Sequence, residues 1–166
     1  MKNIVMIGMP GSGKSTVGMT LARALSMNFV DADDLIRRRE GMTLEQIIDA
    51  QGLAAFRDIE EDVNASIVCE NTVIAPGGSV IYGPRAMAHL REIATVVYLQ
   101  LSCERLALRL GDLKARGVAI APGMTLLDLY NERCPLYEKY AHAVCECDGL
   151  TLNQVVEKCK ALVQAN

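Results

Sequence analysis

The chain is 166 residues long, with 51% hydrophobic and 22% charged residues, which fits a single globular domain spanning 1–166 and excludes disorder as the main state. Seventeen Lys and Arg against twenty Asp and Glu leave a net charge of −3, without the basic footprint needed to grip a nucleic-acid backbone. No stretch approaches 18 uninterrupted apolar residues, so no membrane span is expected.

In chain order, residues 3–7 form a β-branched run that ends at Gly8 and reads as a strand. That run is too short for a signal-peptide core and no small-residue cleavage site follows, so a cytoplasmic protein is expected. Residues 14–25 carry Val17, Leu21, Ala24 and Leu25 at helical spacing, and 28–30 form a short strand ending in Asp31. Helical stretches follow at 43–50, where Thr43 and Gln46 make a capping box, and at 53–68. A third strand, 72–75, stops at Pro76-Gly77-Gly78, and Gly83-Pro84 opens a helix to about Glu92. The longest apolar strand is 94–101, after which Ser102 caps a helix to about Arg109. Residues 126–140 are helical, 143–147 form a fifth strand, and Thr151 with Gln154 caps a last helix to about Val163. Strands that alternate with helices and read as continuous apolar runs predict an α/β fold of three layers, a five-stranded parallel sheet with helices on both faces. Ligands of such sheets sit beyond the carboxyl ends of the strands. Gly8–Ser15, Asp31–Asp34 and Pro76–Ser79 all fall there.

The six cysteines include Cys145 and Cys147, two apart and so on one face of a strand. Without a CxxC motif, and with only His89 and His142 to help, they read as reduced, partly buried thiols rather than a metal pair. The two histidines read as surface or packing residues, and the eight methionines as adaptable core filler.

Gly8-Met9-Pro10-Gly11-Ser12-Gly13-Lys14-Ser15-Thr16 matches GxxxxGK[ST] between a strand and a helix, the context that gives this motif its meaning. Gly11, Ser12, Gly13 and Thr16 would turn backbone N–H groups onto the phosphates of a nucleoside triphosphate at a helix N-terminus. Lys14 would reach the β- and γ-phosphates, and the Ser15 hydroxyl would ligate Mg²⁺. A GTPase would need a guanine-reading NKxD and a switch DxxG after its third strand; no NKxD occurs, and the third strand here ends in Pro76-Gly77-Gly78 instead. The short chain suits a kinase for a small acceptor, using ATP and Mg²⁺.

Beyond the loop, the sequence resembles the shikimate kinases over about residues 3–147. Phe29-Val30-Asp31-Ala32-Asp33 is similar to the family's D-x-D, and Phe56-Arg57-Asp58-Ile59-Glu60 to its F-R-x-x-E. Pro76-Gly77-Gly78-Ser79 is similar to its triple-glycine turn, and Glu132-Arg133-Cys134-Pro135-Leu136-Tyr137 to its E-R-x-P-L-Y. Arg109 and Arg116 fall where the family keeps an adenine-flanking and a lid arginine. The resemblance implies a P-loop kinase fold, a monomer, and phosphorylation of shikimate to shikimate 3-phosphate. A kinase of another small hydroxy acid or polyol, such as gluconate, and a nucleotide-binding relative without catalysis are the alternatives.

The chemistry of these residues fits that role. Asp31, ending the second strand, can hold Mg²⁺ directly or through water. Asp33 would contact the acceptor hydroxyl as base or orienting group, while Asp34 can cap the helix carrying Leu35. Arg57 and Arg133 would clamp the acceptor carboxylate with planar forks, with Glu60 steadying Arg57. Alternatively, Arg57 is a solvated partner of Glu60 or Glu61 at helical spacing. Gly77 and Gly78 would lay their backbone against the acceptor. Two segments depart from the family pattern: Ser79 replaces the third glycine, and 116–123 reads RGVAIAPG instead of Arg-Pro-Leu-Leu. The glycine-bounded stretch from Gly111 to Gly123, within a lid segment of about 111–124, lacks apolar periodicity, so it should pack few side chains. It reads as a lid that brings Arg116 onto the phosphates, or else as a passive surface loop.

Overall fold

The computed structural model describes residues 2–111 and 118–166. Among them, β1 (Asn3–Ile7), β2 (Asn28–Asp31), β3 (Thr72–Ala75), β4 (Ala94–Gln100) and β5 (Ala143–Glu146) form one parallel sheet in the order β2-β3-β1-β4-β5. Around it lie α1 (Lys14–Ala24), α2 (Ala32–Glu40), α3 (Leu44–Gln51), α4 (Leu53–Ala65), α5 (Pro84–Ile93), α6 (Cys103–Leu110), α7 (Leu126–Tyr140) and α8 (Leu152–Gln164). Ile4, Val5, Met6 and Ile7 of central β1 are each no more than 2% exposed. Successive strand side chains point to opposite faces, so this unbroken burial requires cover on both sides, as predicted. Each such side chain contributes roughly 1.5–3 kcal/mol of burial.

Register places the site. Asp31 pairs with Ala75 and Ile7 with Tyr98, so the loops after β1, β2 and β3 open along one edge of the sheet. Strand β3 lies between β1 and β2. Asp31 therefore reaches the loop after β1 across the end of β3.

Four local features differ from the sequence reading. Helix α2 starts at Ala32, and its N-cap is Asp31, whose side chain accepts from Asp33 N at 2.9 Å. Asp34 is instead an exposed first-turn residue paired with Arg37 at 2.6 Å. Helix α4 stops at Ala65, short of the expected 68, where the Ser66 hydroxyl takes the freed Val63 carbonyl at 2.8 Å. A 3₁₀ turn, Val80–Tyr82, follows Ser79; three residues are too few to print a helical periodicity.

The fourth concerns the glycine-bounded stretch. Residues 112–117, Arg116 among them, lie outside the described residues. Beyond them Val118 and Ile120 pack on the main core, and Ala119 joins a second cluster with Ile36, Ile47, Phe56 and Val63. This end is seated, contrary to the expectation that the stretch packs few side chains. Alternation over three residues was too short to show as periodicity.

Cys145, Cys147 and Cys159 are buried, with the first two sulfurs 3.9 Å apart. His142 accepts from Val96 N at 3.0 Å and His89 contacts the Ile67 carbonyl at 2.7 Å, so both serve packing. Among the described residues no helix is long and apolar enough to cross a membrane.

Candidate active site

A cavity of about 510 Å³ opens at the carboxyl edge of the sheet, lined by Gly11, Gly13, Lys14, Ser15, Thr16, Asp31, Asp33, Glu60, Gly77, Gly78, Ser79 and Arg133. One wall is the loop between β1 and α1. Gly13 caps α1 in the left-handed region, φ 93°, without a side-chain hydrogen bond, so the first N–H groups of the helix remain available to an anion. Lys14 folds back over the loop, donating to the Gly8 and Met9 carbonyls at 3.0 and 2.9 Å. Burial lowers its pKa to about 8, against the pull of Asp33 and Asp31. A cation held in so little water is positioned to act strongly on a phosphate. Ser12 turns its side chain into the protein, 3% exposed, so its contribution to a phosphate site is its backbone.

At the floor, the Ser15 hydroxyl donates to Asp31 Oδ2 at 3.1 Å. A hydroxyl and a carboxylate side by side are hard oxygen donors of the kind Mg²⁺ takes alongside phosphates and water, so these residues fit that ion. Arg109 donates to the Gly11 carbonyl at 3.2 Å, on the outer side of the loop.

The opposite wall is acidic and backbone-lined. Burial raises Asp33 to about 6, helped by Asp31 and opposed by Lys14 and Arg37. Its Oδ1 is buried and, among the described residues, has no hydrogen-bond partner. Glu60 is 2% exposed, and burial raises it to about 7, opposed by a 2.5 Å hydrogen bond from Ser79. Its other oxygen, Oε2, also lacks a partner among the described residues. Both orphan oxygens face Gly77: a Cβ there would stand 2.9 Å from Glu60 Oε2 and 3.0 Å from Asp33 Oδ1. A side chain here would therefore displace both carboxylates. Gly78 is pinned by Tyr137, whose hydroxyl donates to its carbonyl at 2.6 Å.

The cationic end belongs to Arg133, 1% exposed, which donates to the Ala119 carbonyl at 2.6 Å. No carboxylate lies within 4.0 Å of it among the described residues. A buried guanidinium left without an acid is a site for an anionic ligand. Arg57 stands one layer back, its guanidinium carbon 4.2 Å from the centre of the Tyr82 ring, and it is not part of the cavity lining. Glu60 does not steady Arg57 as expected, because Ser79 holds its carboxylate. The alternative of a solvated Arg57 ion pair is absent as well: its Nε is buried and without a partner among the described residues.

The structure thus gathers the phosphate loop, Asp31, Asp33, Gly77, Gly78 and Arg133 around one cavity. It adds Glu60, Ser79 and Arg37 to the lining, and Tyr82 behind it. Arg37 was detectable in the sequence, since it follows Asp33 by four residues on one helix face. Ser79 and Tyr82 carried no spacing signal.

Comparison with known proteins identifies the architecture. A family profile described as shikimate kinase matches residues 10–164. A shikimate kinase from Paracidovorax citrulli is 42% identical over 147 residues, covering 86% of this chain and 80% of the relative. One from Francisella tularensis subsp. novicida is 37% identical over 161 residues, covering 95% of this chain and 92% of the relative. The structure of shikimate kinase from Acinetobacter baumannii in complex with shikimate superposes with a TM-score of 0.86 at 28% identity, covering 100% of this chain and 94% of the other.

Proposed function

This chain belongs to the shikimate kinase family, and we infer that it transfers the γ-phosphoryl group of ATP to a ring hydroxyl of shikimate, giving shikimate 3-phosphate and ADP. The observation that carries this reading is the pairing, across one cavity, of a phosphate loop with a buried arginine that has no acid partner among the described residues. One end suits a triphosphate. The other suits a small acceptor bearing a carboxylate.

Phosphoryl transfer asks the protein mainly for positioning and charge. Lys14 leaves the Gly8 and Met9 carbonyls for the β- and γ-phosphates and neutralises charge that builds during transfer. Ser15 and Asp31 would hold Mg²⁺, which would draw negative charge from the transferring phosphoryl group. Asp33, with its free Oδ1, orients the acceptor hydroxyl and takes its proton as the new O–P bond forms. Arg133, with Arg57 behind it, fixes the acceptor carboxylate, and Gly77 and Gly78 let backbone lie against the ring. Arg109 flanks the adenine. Residues 111–124 act as a lid that delivers Arg116 to the phosphates. The protein works as a cytoplasmic monomer in a single domain, without nucleic-acid or membrane partners, in keeping with its acidic balance.

The test is steady-state kinetics of the pure protein with MgATP and a panel of acceptors: shikimate, gluconate, quinate and a shikimate analogue lacking the carboxylate. Shikimate should give the highest kcat/KM by at least about 100-fold over the analogue, since losing it leaves buried cations unpaired. A preference for gluconate would overturn the acceptor assignment.

A further inference from the structure

Arg57 and Arg133 come from different helices, α4 and α7, yet they converge on one aromatic ring. The guanidinium carbon of Arg57 lies 4.2 Å from the centre of Tyr82 and that of Arg133 lies 5.4 Å from it. Both distances are within the range at which a cation is attracted by the electron-rich face of a ring. Like charges brought together in a poorly hydrated wall repel each other, and neither arginine has a carboxylate within 4.0 Å among the described residues. Something other than an acid must hold them.

We propose that Tyr82 is a positioning residue of the acceptor site, its ring gathering the two guanidiniums so that they stay together without being neutralised. The proposal rests on the assignment of Arg57 and Arg133 to the acceptor carboxylate. An acidic residue in the same place would also hold the arginines, but it would compete with the acceptor for them. A ring face offers attraction without accepting hydrogen bonds, so of the Arg133 N–H groups Tyr82 takes only that of Nε, through its hydroxyl.

The ring itself is fixed from three sides. The 3₁₀ turn Val80–Tyr82 is anchored by buried Val80 and Ile81. The Tyr82 hydroxyl donates to Glu132 Oε1 at 2.5 Å, and Arg133 Nε donates to that hydroxyl at 3.4 Å. Because only Val80 and Ile81 separate Tyr82 from Gly77, Gly78 and Ser79, one short segment supplies both the backbone surface for the acceptor and the support for its cationic clamp.

The experiment compares Tyr82→Phe, Tyr82→Leu and Tyr82→Ala in the full chain, with KM and kcat measured for shikimate and ATP, and folding followed by circular dichroism. Tyr82→Phe keeps the ring and should hold the shikimate KM within about threefold of wild type. Tyr82→Leu restores bulk without a π face and should raise that KM by about tenfold, with kcat within about threefold and the ATP KM unchanged. Tyr82→Ala should be at least as impaired. Leu restoring wild-type KM would reduce the role to packing and overturn the proposal, as would Phe being as damaging as Leu. If Tyr82→Ala fails to fold, the Phe and Leu pair still decides. Wild-type protein that turns over ATP without phosphorylating shikimate would instead refute the acceptor assignment, a result distinct from variants that match an active wild type.

Discussion

Ser79 donates a 2.5 Å hydrogen bond to Glu60 Oε1, and this bond decides which way a buried carboxylate faces. The residue stands where the family pattern has a third glycine, at φ −90° and ψ 2°, a negative-φ turn conformation that does not call for glycine. Its side chain therefore fits without strain. It keeps Glu60 from Arg57, one turn earlier on α4, and leaves Oε2 beside Gly77. The cavity thus retains buried groups of both signs that lack partners among the described residues.

The first prediction concerns Glu60 and pH. Burial raises its pKa in the folded protein from 4.5 to about 7. The folded form then binds the proton more tightly than the unfolded form. The associated stability is complete below about 4.5 and is lost as pH rises through about 7. Glu60→Gln removes the ionisation and should stabilise the protein at pH 8, by up to roughly 3 kcal/mol. Urea midpoints at pH 8 and pH 4.5 check this; a gain of equal size at both would contradict it.

Gly77→Ala would place a methyl against two carboxylate oxygens at 2.9 and 3.0 Å. Glu60 and Asp33 must then move, and Asp33 loses its line to the acceptor hydroxyl. Turnover should fall by about 100-fold, the scale of a 1 Å misplacement, while ATP binding measured by calorimetry holds. Unchanged turnover would mean that Asp33 does not work from this position.

Much of this was legible in the residues. The alternation of apolar strands and helices gave the sheet and its open edge, because burial on both faces leaves an unbroken apolar run, as in Ile4–Ile7. The phosphate loop was legible because its chemistry needs adjacent residues. The acceptor wall was only partly so. Arg57 and Arg133 were singled out by resemblance, but the position of Arg57 over Tyr82 depends on a 3₁₀ turn with no periodicity and on a contact across 25 residues of chain. The partner of Glu60 was misread for the same reason: i,i+3 spacing pointed to Arg57, and a tertiary contact with Ser79 prevailed.

Arg133 separates function from stability. It is 1% exposed and has no acid within 4.0 Å among the described residues, so the fold bears an uncompensated cation. Arg133→Met, of similar length and apolar, removes the bonds to the Ala119 carbonyl and the Tyr82 hydroxyl together with the desolvated charge, so its net cost should stay under about 2 kcal/mol. It should lower kcat/KM for shikimate by at least about 30-fold. Thermal unfolding and kinetics on one preparation check both. A large loss of stability with retained kcat/KM would assign Arg133 to the scaffold.

Lys14→Ala removes the cation that donates to the Gly8 and Met9 carbonyls and to which the proposed mechanism gives the phosphates. Turnover should fall by at least roughly 100-fold, as for other lost charge stabilisers. Rapid-quench measurement of one turnover places the loss in the chemical step; near-wild-type turnover would refute the role given to the loop.

The most direct measurement is phosphorus NMR of the protein mixed with MgATP and shikimate. The γ-phosphate signal should be replaced, one for one, by ADP and a single phosphomonoester on the 3-hydroxyl, with the analogue lacking the carboxylate left unphosphorylated over the same interval. ADP accompanied only by inorganic phosphate, or equal phosphorylation of that analogue, would contradict the account.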